Sequence, residues 1–285
     1  MTENRKEADT EAEHGAQKDI RIVTYNVLYT GVAEGLYPEI DTEPYSWERR
    51  RDSVAETLKS QGPDVVAFQE VWMSQFDDLD ERLPGHAWVA HDDGVRHTPI
   101  AYDSDRFDVV DDGTFWLSED DADPGEAGWD AANQRLVTHA TLRDEDGDEI
   151  AVFSVHLDHV GERARREGAR MVREKVTELT DEATHAVVAG DFNCQPGSDA
   201  YEVMVEEEGS LRGLGDAYEA ATDTAGPEVT FIGLHEDDSE EELNLDHVFV
   251  TEGIEVEGYE TDVPEDESEE FRPSDHRPVT VDLRY

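Results

Sequence analysis

Six stretches of this chain repeat one pattern, an apolar run that ends in an acid, an amide or a histidine. Val187-Val188-Ala189-Gly190 leads to Asp191 and Asn193, and Ile22-Val23-Thr24-Tyr25 leads to Asn26. Val65-Val66-Ala67-Phe68 ends in Gln69-Glu70, and Val152-Phe153-Ser154-Val155 ends in His156. Asn244-Leu245 runs into Asp246-His247, and Ser274 into Asp275-His276. Carboxylate and amide oxygens hold hard cations, and imidazoles move protons near neutral pH. One such terminus is accounted for by a turn in which the polar side chain bonds its own backbone. Six of them point to convergence on one pocket, since polar groups at buried strand ends cost free energy unless something binds them.

The elements that must position these residues can be read from the same pattern. Ile20 to Tyr25 reads as the first strand, Asp64 to Phe68 as the second, and the run before Asp191 as a buried strand that turns sharply at Gly190. Ser46 is placed to cap a helix from Trp47 to about Ser60, with Val54 and Leu58 on one face and Gly62-Pro63 as its stop. Val71 to Arg82 reads as a second helix. Short strands are expected at Ala87 to Ala90, Pro99 to Tyr102, Phe107 to Val110 and Thr114 to Leu117, with a turn at Asp111-Asp112-Gly113 between the last two. An acidic loop from Ser118 to Ala132 precedes a hairpin of Arg135 to Leu142 and Glu149 to Val155.

Glu162 to Thr180 is spaced as an amphipathic helix whose polar face carries Arg163, Arg165, Arg166, Arg170, Arg173 and Lys175. Pairing with Glu162, Glu167, Glu174 and Glu178 is the better account of it than a dedicated phosphate surface. The last third reads as a helix from about Ser198 to Glu208, strands near Thr230 to Ile232, Leu245 to Val250 and Val279 to Leu283, and an acidic loop at Pro264 to Glu270. No repeat at a fixed short period is visible, so residues 19–285 read as one domain behind a disordered lead-in of residues 1–18.

At 285 residues the chain can bury a substantial core. Its one cysteine, Cys194, excludes an intramolecular disulfide and reads as a small filler. The formal net charge of −50 would destabilise a compact state through self-repulsion unless salt screens it. Lysine is confined to Lys6, Lys18, Lys59 and Lys175, a balance that resembles proteins of salt-accumulating halophiles. Regular strand and helix patterns argue against disorder beyond the ends. No signal peptide or membrane span is visible, and the expectation is a cytoplasmic monomer with no protein partner evident.

Thr24-Tyr25-Asn26-Val27, Gln69-Glu70, His156-Leu157-Asp158-His159, Gly190-Asp191-Phe192-Asn193, Leu245-Asp246-His247-Val248-Phe249-Val250 and Ser274-Asp275-His276 stand in the order of the endonuclease/exonuclease/phosphatase superfamily. From Ile20 onward the chain resembles its bacterial and archaeal branch, with Gly113-Thr114-Phe115-Trp116-Leu117-Ser118, Pro124-Gly125, Gly128-Trp129-Asp130 and Arg135. The resemblance implies a four-layer α/β sandwich, two mixed β-sheets packed face to face with helices outside. It also implies divalent-metal-dependent hydrolysis of a phosphoester, with Glu70 as the central metal ligand and Asn26 and Asp275 beside it. The positions of His276, Asp246 and Asp191 are those the family uses for proton transfer and water orientation. Three positions depart from the branch: Gly94-Val95-Arg96-His97 replaces a Gly-Glu pattern, His247 a tyrosine, and His139 a tryptophan.

The residue types suit that chemistry in their own right. Glu70 and Asp275 offer oxygen to Mg²⁺ or Mn²⁺, while the lack of a cysteine cluster or a His-x-x-x-His helix argues against structural or protease-type zinc. The base that deprotonates water is either His276 with Asp246, or Asp191 directly. His156 and Asn193 are expected to donate hydrogen bonds to the developing charge, Arg135 to hold a non-reacting phosphate oxygen, and Asn133 is a weaker candidate for the same task. Trp116 and Trp129 read as packing residues, and His86, His91, His97, His185 and His235 as ordinary surface or core histidines. His159 reads as supporting His156 or touching substrate. The substrate class is open, nucleic acid included. The competing reading is a non-catalytic or regulatory phosphate-ligand binding domain that kept the fold, but none of the core site residues is lost.

Overall fold

A computed structural model describes residues 18–30, 45–91, 95–119, 126–180, 184–207, 211, 213–234, 243–268 and 271–285. The disordered lead-in expected at residues 1–18 falls, but for Lys18, outside the described residues, as do His235, residues 31–44 and parts of the loops at 118–132 and 264–270. The first half contains β1 (Asp19–Asn26), α1 (Trp47–Gln61), β2 (Val65–Gln69), β3 (Val71–Trp72), α2 (Met73–Arg82), β4 (His86–Val89), β5 (Val95–His97), β6 (Ile100–Asp103), β7 (Phe107–Trp116) and β8 (Leu136–Asp144). Then follow β9 (Glu149–His156), α3 (Glu162–Leu179), β10 (His185–Asp191), α4 (Asp199–Val205), β11 (Gly215–Asp216), α5 (Ala217–Ala220), β12 (Asp223–Ala225), β13 (Asp246–Val250), β14 (Glu255–Thr261) and β15 (Val279–Arg284).

Two mixed sheets carry the fold, a seven-stranded one in the order β12-β14-β15-β1-β2-β6-β4 and a six-stranded one in the order β11-β13-β10-β9-β8-β7. Each has a parallel pair at its centre, β1 with β2 and β9 with β10, flanked by antiparallel strands, and the edge strand β12 joins β14 in parallel. Central strands are buried on both faces, which explains their near-continuous apolar runs. In β1, Ile20 and Ile22 join Val152, Val187 and Val281 in the core between the sheets. The alternate residues Val23 and Tyr25 pack outward with Val54, Leu58 and Leu79 of α1 and α2. On the other side Phe153, Val155 and Val188 pack outward with Val172 and Val176 of α3 and Met204 of α4. Each such buried aliphatic contributes roughly 1.5–3 kcal/mol relative to exposure, so the sandwich with outer helices is the arrangement that buries both sides of each strand.

Several local readings are corrected. Gly190 does not turn the chain: β10 continues to Asp191, and the glycine is needed because a Cβ there would lie 1.9 Å from the Val155 carbonyl oxygen of β9. The expected turn at Asp111-Asp112-Gly113 is part of one strand, β7, which carries a register shift between Val109 and Asp111. Gly113 lies opposite His139, whose ring nitrogen would be 2.7 Å from an added Cβ, so a sequence cue for turning is here a cue for space. The segment near Thr230 to Ile232 is not a strand but a bridge, Phe231 pairing with Leu243 and His276. Ser46 precedes α1 as expected but makes no side-chain cap, while Gly62 does end the helix with a left-handed φ of 62°.

Candidate active site

Register brings the polar termini together. Asn26 is the partner of Gln69 across the parallel β1–β2 pair, Asp191 is the partner of His156 across β10–β9, and Asp191 also faces Asp246 across β10–β13. The two parallel pairs therefore end at the same edge of the sandwich. Asp275 and His276 arrive on the segment before β15, held by Ser274 Oγ on the Asn26 carbonyl at 2.7 Å and Ile232 N on the Asp275 carbonyl at 2.8 Å.

Asp191 is the centre of this cluster. Its Oδ2 accepts from Asn26 Nδ2 at 3.1 Å and lies 3.3 Å from His156 Nε2 and 3.6 Å from His276 Nε2. Its Oδ1 accepts from the Asn193 backbone N–H at 2.9 Å. Burial, with Asp246 adding to it and His276 opposing it, pushes the Asp191 carboxyl up to about 7. His276 presents Nδ1 to Asp246 Oδ2 at 2.7 Å. Burial works against its positive charge, but Asp246 and Asp191 outweigh that and hold the imidazolium well above its ordinary range. Thr230 Oγ1 accepts from the backbone N–H of Leu245 and of Asp246 and so fixes the start of β13.

Glu70 leaves β2 with a φ of 62°, a left-handed conformation that costs a residue with a Cβ and is concentrated at functional sites. Its Oε1 accepts from Asn26 Nδ2 at 3.3 Å and its Oε2 from the Tyr29 backbone N–H at 3.1 Å. Asp275 is pushed up to about 6 by burial, with His276 opposing and Glu70 adding. Among the described contacts no lysine or arginine pairs with either carboxylate. Two neighbouring carboxylates, neither in a direct ion pair with a lysine or arginine among the described residues, are a fitting donor set for a hard divalent cation. Asn26 Oδ1 accepts from Leu28 N–H at 3.0 Å, and its amide nitrogen faces Glu70 and Asp191. Asp191, Asp246 and His276 also lie within 4.8 Å of one another. The short His276–Asp246 bond already engages Nδ1, so that trio is better suited to proton transfer than to holding an ion.

His156 is buried, and burial followed by the Arg135 guanidinium holds it well below its ordinary range, so the ring is neutral. Arg135 does not project into open solvent. Its Nη1 lies 3.1 Å from His156 Nδ1, its Nη2 3.0 Å from His159 Nδ1, and its Nε 3.4 Å from Asp158 Oδ2. Asn193 donates from Nδ2 to the Leu157 carbonyl at 3.0 Å. Asn133 is exposed, and among the described residues it meets the rim through its backbone N–H, 3.2 Å from Asp158 Oδ2, and not through its side chain. Gln69 is turned inward, its Nε2 bonded to Thr24 Oγ1, Ser154 Oγ and the Ala67 carbonyl between the sheets.

Two residues of the site region carry tasks that the sequence did not assign, Asp158 of the His156 motif and Arg50. Asp158 accepts from the backbone N–H groups of Ala132, Asn133, Val160 and Gly161 and so ties the rim loop to the start of α3. Arg50 is fully buried in α1 and donates to the carbonyls of Tyr45, Val27, Leu28 and Pro273, which joins the segment after Asn26 to the segment before Asp275. Burial lowers its pKa to about 10, so it stays charged. A signal for Arg50 existed: it lies four residues before Val54 on the same helical face. The substituted positions also have physical roles. His139 stacks on Phe153, and His247 packs against Phe192 and Tyr201 with Nε2 2.8 Å from the Cys194 carbonyl oxygen.

The model of the Endonuclease/Exonuclease/phosphatase family matches residues 23–276. An endonuclease/exonuclease/phosphatase from Bacteroides vulgatus is 34% identical with a TM-score of 0.82, covering 93% of this chain and 98% of its own. A mannosyl-6-phosphatase from Bacteroides thetaiotaomicron is 31% identical with a TM-score of 0.80, covering 93% of this chain and 100% of its own. A protein of Acanthamoeba polyphaga mimivirus is 25% identical over 273 residues, 90% of this chain and 98% of the relative.

Proposed function

The chain belongs to the endonuclease/exonuclease/phosphatase family, whose members are hydrolases of phosphoesters, and we propose that it is a divalent-metal-dependent phosphoester hydrolase that works by in-line attack of water. The observation that carries this reading is the convergence of Asn26, His156 and His276 on Asp191 Oδ2, beside the Glu70 and Asp275 carboxylates.

Glu70 and Asp275 would hold Mg²⁺ or Mn²⁺, with Asn26 joining them on a half-turn of its amide. Such an ion, when bound, neutralises charge on the phosphate oxygens. Asp191 is the proton acceptor of the proposal, because burial lifts its carboxyl to about 7 at the centre of the cluster, where a base works best near neutral pH. His276, held between Asp246 and Asp191, keeps its proton and stabilises negative charge from its buried position. The second amide hydrogen of Asn193 donates to the developing charge, and the single N–H of His156 joins it once Asp191 has taken up the proton of water. Arg135 orients His156 and His159 and adds positive potential to that wall. No helix of the described residues is long and apolar enough to cross a membrane. The acid excess extends the proposal to a salty working medium and a small phosphoester rather than a long duplex, since grip on a long polyanion rests on Lys and Arg contacts. Far-UV circular dichroism across a KCl titration would show structure lost at low salt, and equal stability at millimolar and molar KCl would remove the halophile reading.

The test is Glu70→Gln, assayed in molar KCl on phosphomonoesters, phosphodiesters and short oligonucleotides with Mg²⁺ and Mn²⁺. Turnover should vanish and Mn²⁺ binding by electron paramagnetic resonance should weaken, with the unfolding midpoint retained. Near wild-type turnover would sink the metal assignment. A wild type that binds phosphoesters and turns none over would favour the non-catalytic binding domain.

A further inference from the structure

Trp72 stands apart from the other aromatic residues near the site. It is 42% exposed, whereas Trp116 is 8% exposed and packed edge-on against His91 and His97. One face of its indole lies on the Tyr29 ring, centroids 5.3 Å apart and planes inclined by 26°. Both rings are fastened to the reacting region through the backbone. Tyr29 N–H donates to Glu70 Oε2 at 3.1 Å, and Trp72 follows Glu70 by two residues, its own N–H held by Gln75 Oε1 at 3.2 Å. The result is an aromatic stack with an open face, fixed beside a carboxylate of the proposed phosphoester site.

We propose that the Tyr29–Trp72 stack is the leaving-group subsite of this site and that it takes a nucleobase. The proposal rests on the phosphoester reading above. Two observations select a base over a sugar ring. The polar side chain at the foot of the indole, Gln75, is buried and committed on both ends, to Trp72 N and to the Leu28 carbonyl at 3.0 Å, so it offers no hydroxyl partner. Among the described residues recognition rests on the ring face, which suits a base because every base has a π-face. The second observation is charge. With 73 acidic and 23 basic side chains, added phosphate contacts are a poor source of affinity, and their strength falls with salt. Stacking does not depend on that charge balance, and a stack next to the phosphate site supplies affinity where electrostatics does not.

The experiment compares Trp72→Ala and Trp72→Phe with wild type in one molar KCl on three esters: a nucleotide ester, a glyceryl phosphoester and a hexose phosphate. Trp72→Ala should raise the KM for the nucleotide ester relative to the glyceryl ester by about 5- to 100-fold with kcat little changed, since the lost contact is uniform binding. Trp72→Phe should recover most of the difference. A second readout needs no turnover. Quenching of tryptophan fluorescence by a non-hydrolysable nucleotide analogue should saturate in wild type and disappear in Trp72→Phe. Equal KM changes on all three esters, or a larger change on the hexose phosphate, would overturn the base assignment. If wild type hydrolyses no ester, the hydrolase reading fails, and the quenching titration alone still decides whether the stack binds a base.

Discussion

His276 Nδ1 lies 2.7 Å from Asp246 Oδ2, and the same ring turns Nε2 to within 3.6 Å of Asp191 Oδ2. The imidazole is thus held between two buried carboxylates from neighbouring strands. A charged ring so placed works only while both partners orient it.

The two residues are therefore expected to act as a unit. His276→Ala and Asp246→Asn should each lower kcat by roughly 10²–10⁴-fold, and the double variant should be scarcely worse than the worse single one. Fully multiplicative losses in a double-mutant cycle would show that they work separately.

Arg50 predicts a stability effect far from any solvent-exposed contact. Arg50→Met removes the arginine donor from the carbonyls of Val27, Tyr45 and Pro273 and leaves Leu28 with Gln75 alone, and buried unsatisfied acceptors cost about 1–3 kcal/mol each before relaxation. A loss of about 3 kcal/mol or more is expected from urea unfolding at high salt. Wild-type stability in this variant would mean that burying the cation offsets all four bonds.

Asp158 sets a pH dependence of stability. Burial opposes its charge, but the N–H groups of Gly161, Ala132 and Val160, with Arg135, outweigh burial and hold its pKa at about 2. The folded value lies below the unfolded one, so the stabilisation is fully present above about pH 4 and is lost as pH falls through about 2. Wild type should exceed Asp158→Asn in unfolding free energy at pH 6, and the gap should close below pH 4. A gap that is constant with pH would assign the difference to shape rather than charge.

The basic helix α3 should contribute little to substrate binding. Arg173 is buried and bonds the carbonyls of Val203 and Leu211, Arg165 bonds the Asp158 carbonyl, and Arg166 and Arg170 both lie on Glu167. The face read in the sequence as six basic side chains is thus largely engaged within the fold. Arg166→Glu/Arg170→Glu should leave kcat/KM for a small diester and for a long duplex unchanged within about twofold at one molar KCl. A duplex preference that collapses in this variant would make α3 a nucleic-acid groove.

Much of this protein was determined locally and could be read along the chain. Alternating apolar residues place Val23 and Ile22 on opposite faces of β1, and a helical period places Val54 and Leu58 together, because those patterns depend only on near neighbours. The order of the polar strand ends, from Asn26 to His276, was legible for the same reason. What the tertiary structure decided is pairing between distant segments: the register of Asp191 with His156 and with Asp246 makes Asp191 the shared centre, and no local pattern encodes it. The same holds for Gly190 and Gly113, whose neighbours across the sheet need the space of a side chain, and for Arg135, turned to His156 by strands that meet only in the fold. Trp72 is the converse case: a residue read as part of a helix is left outside, on Tyr29, because Glu70 turns the backbone left-handed just before it. Sequence determines which side chains are available, and long-range strand pairing determines which of them share an atom.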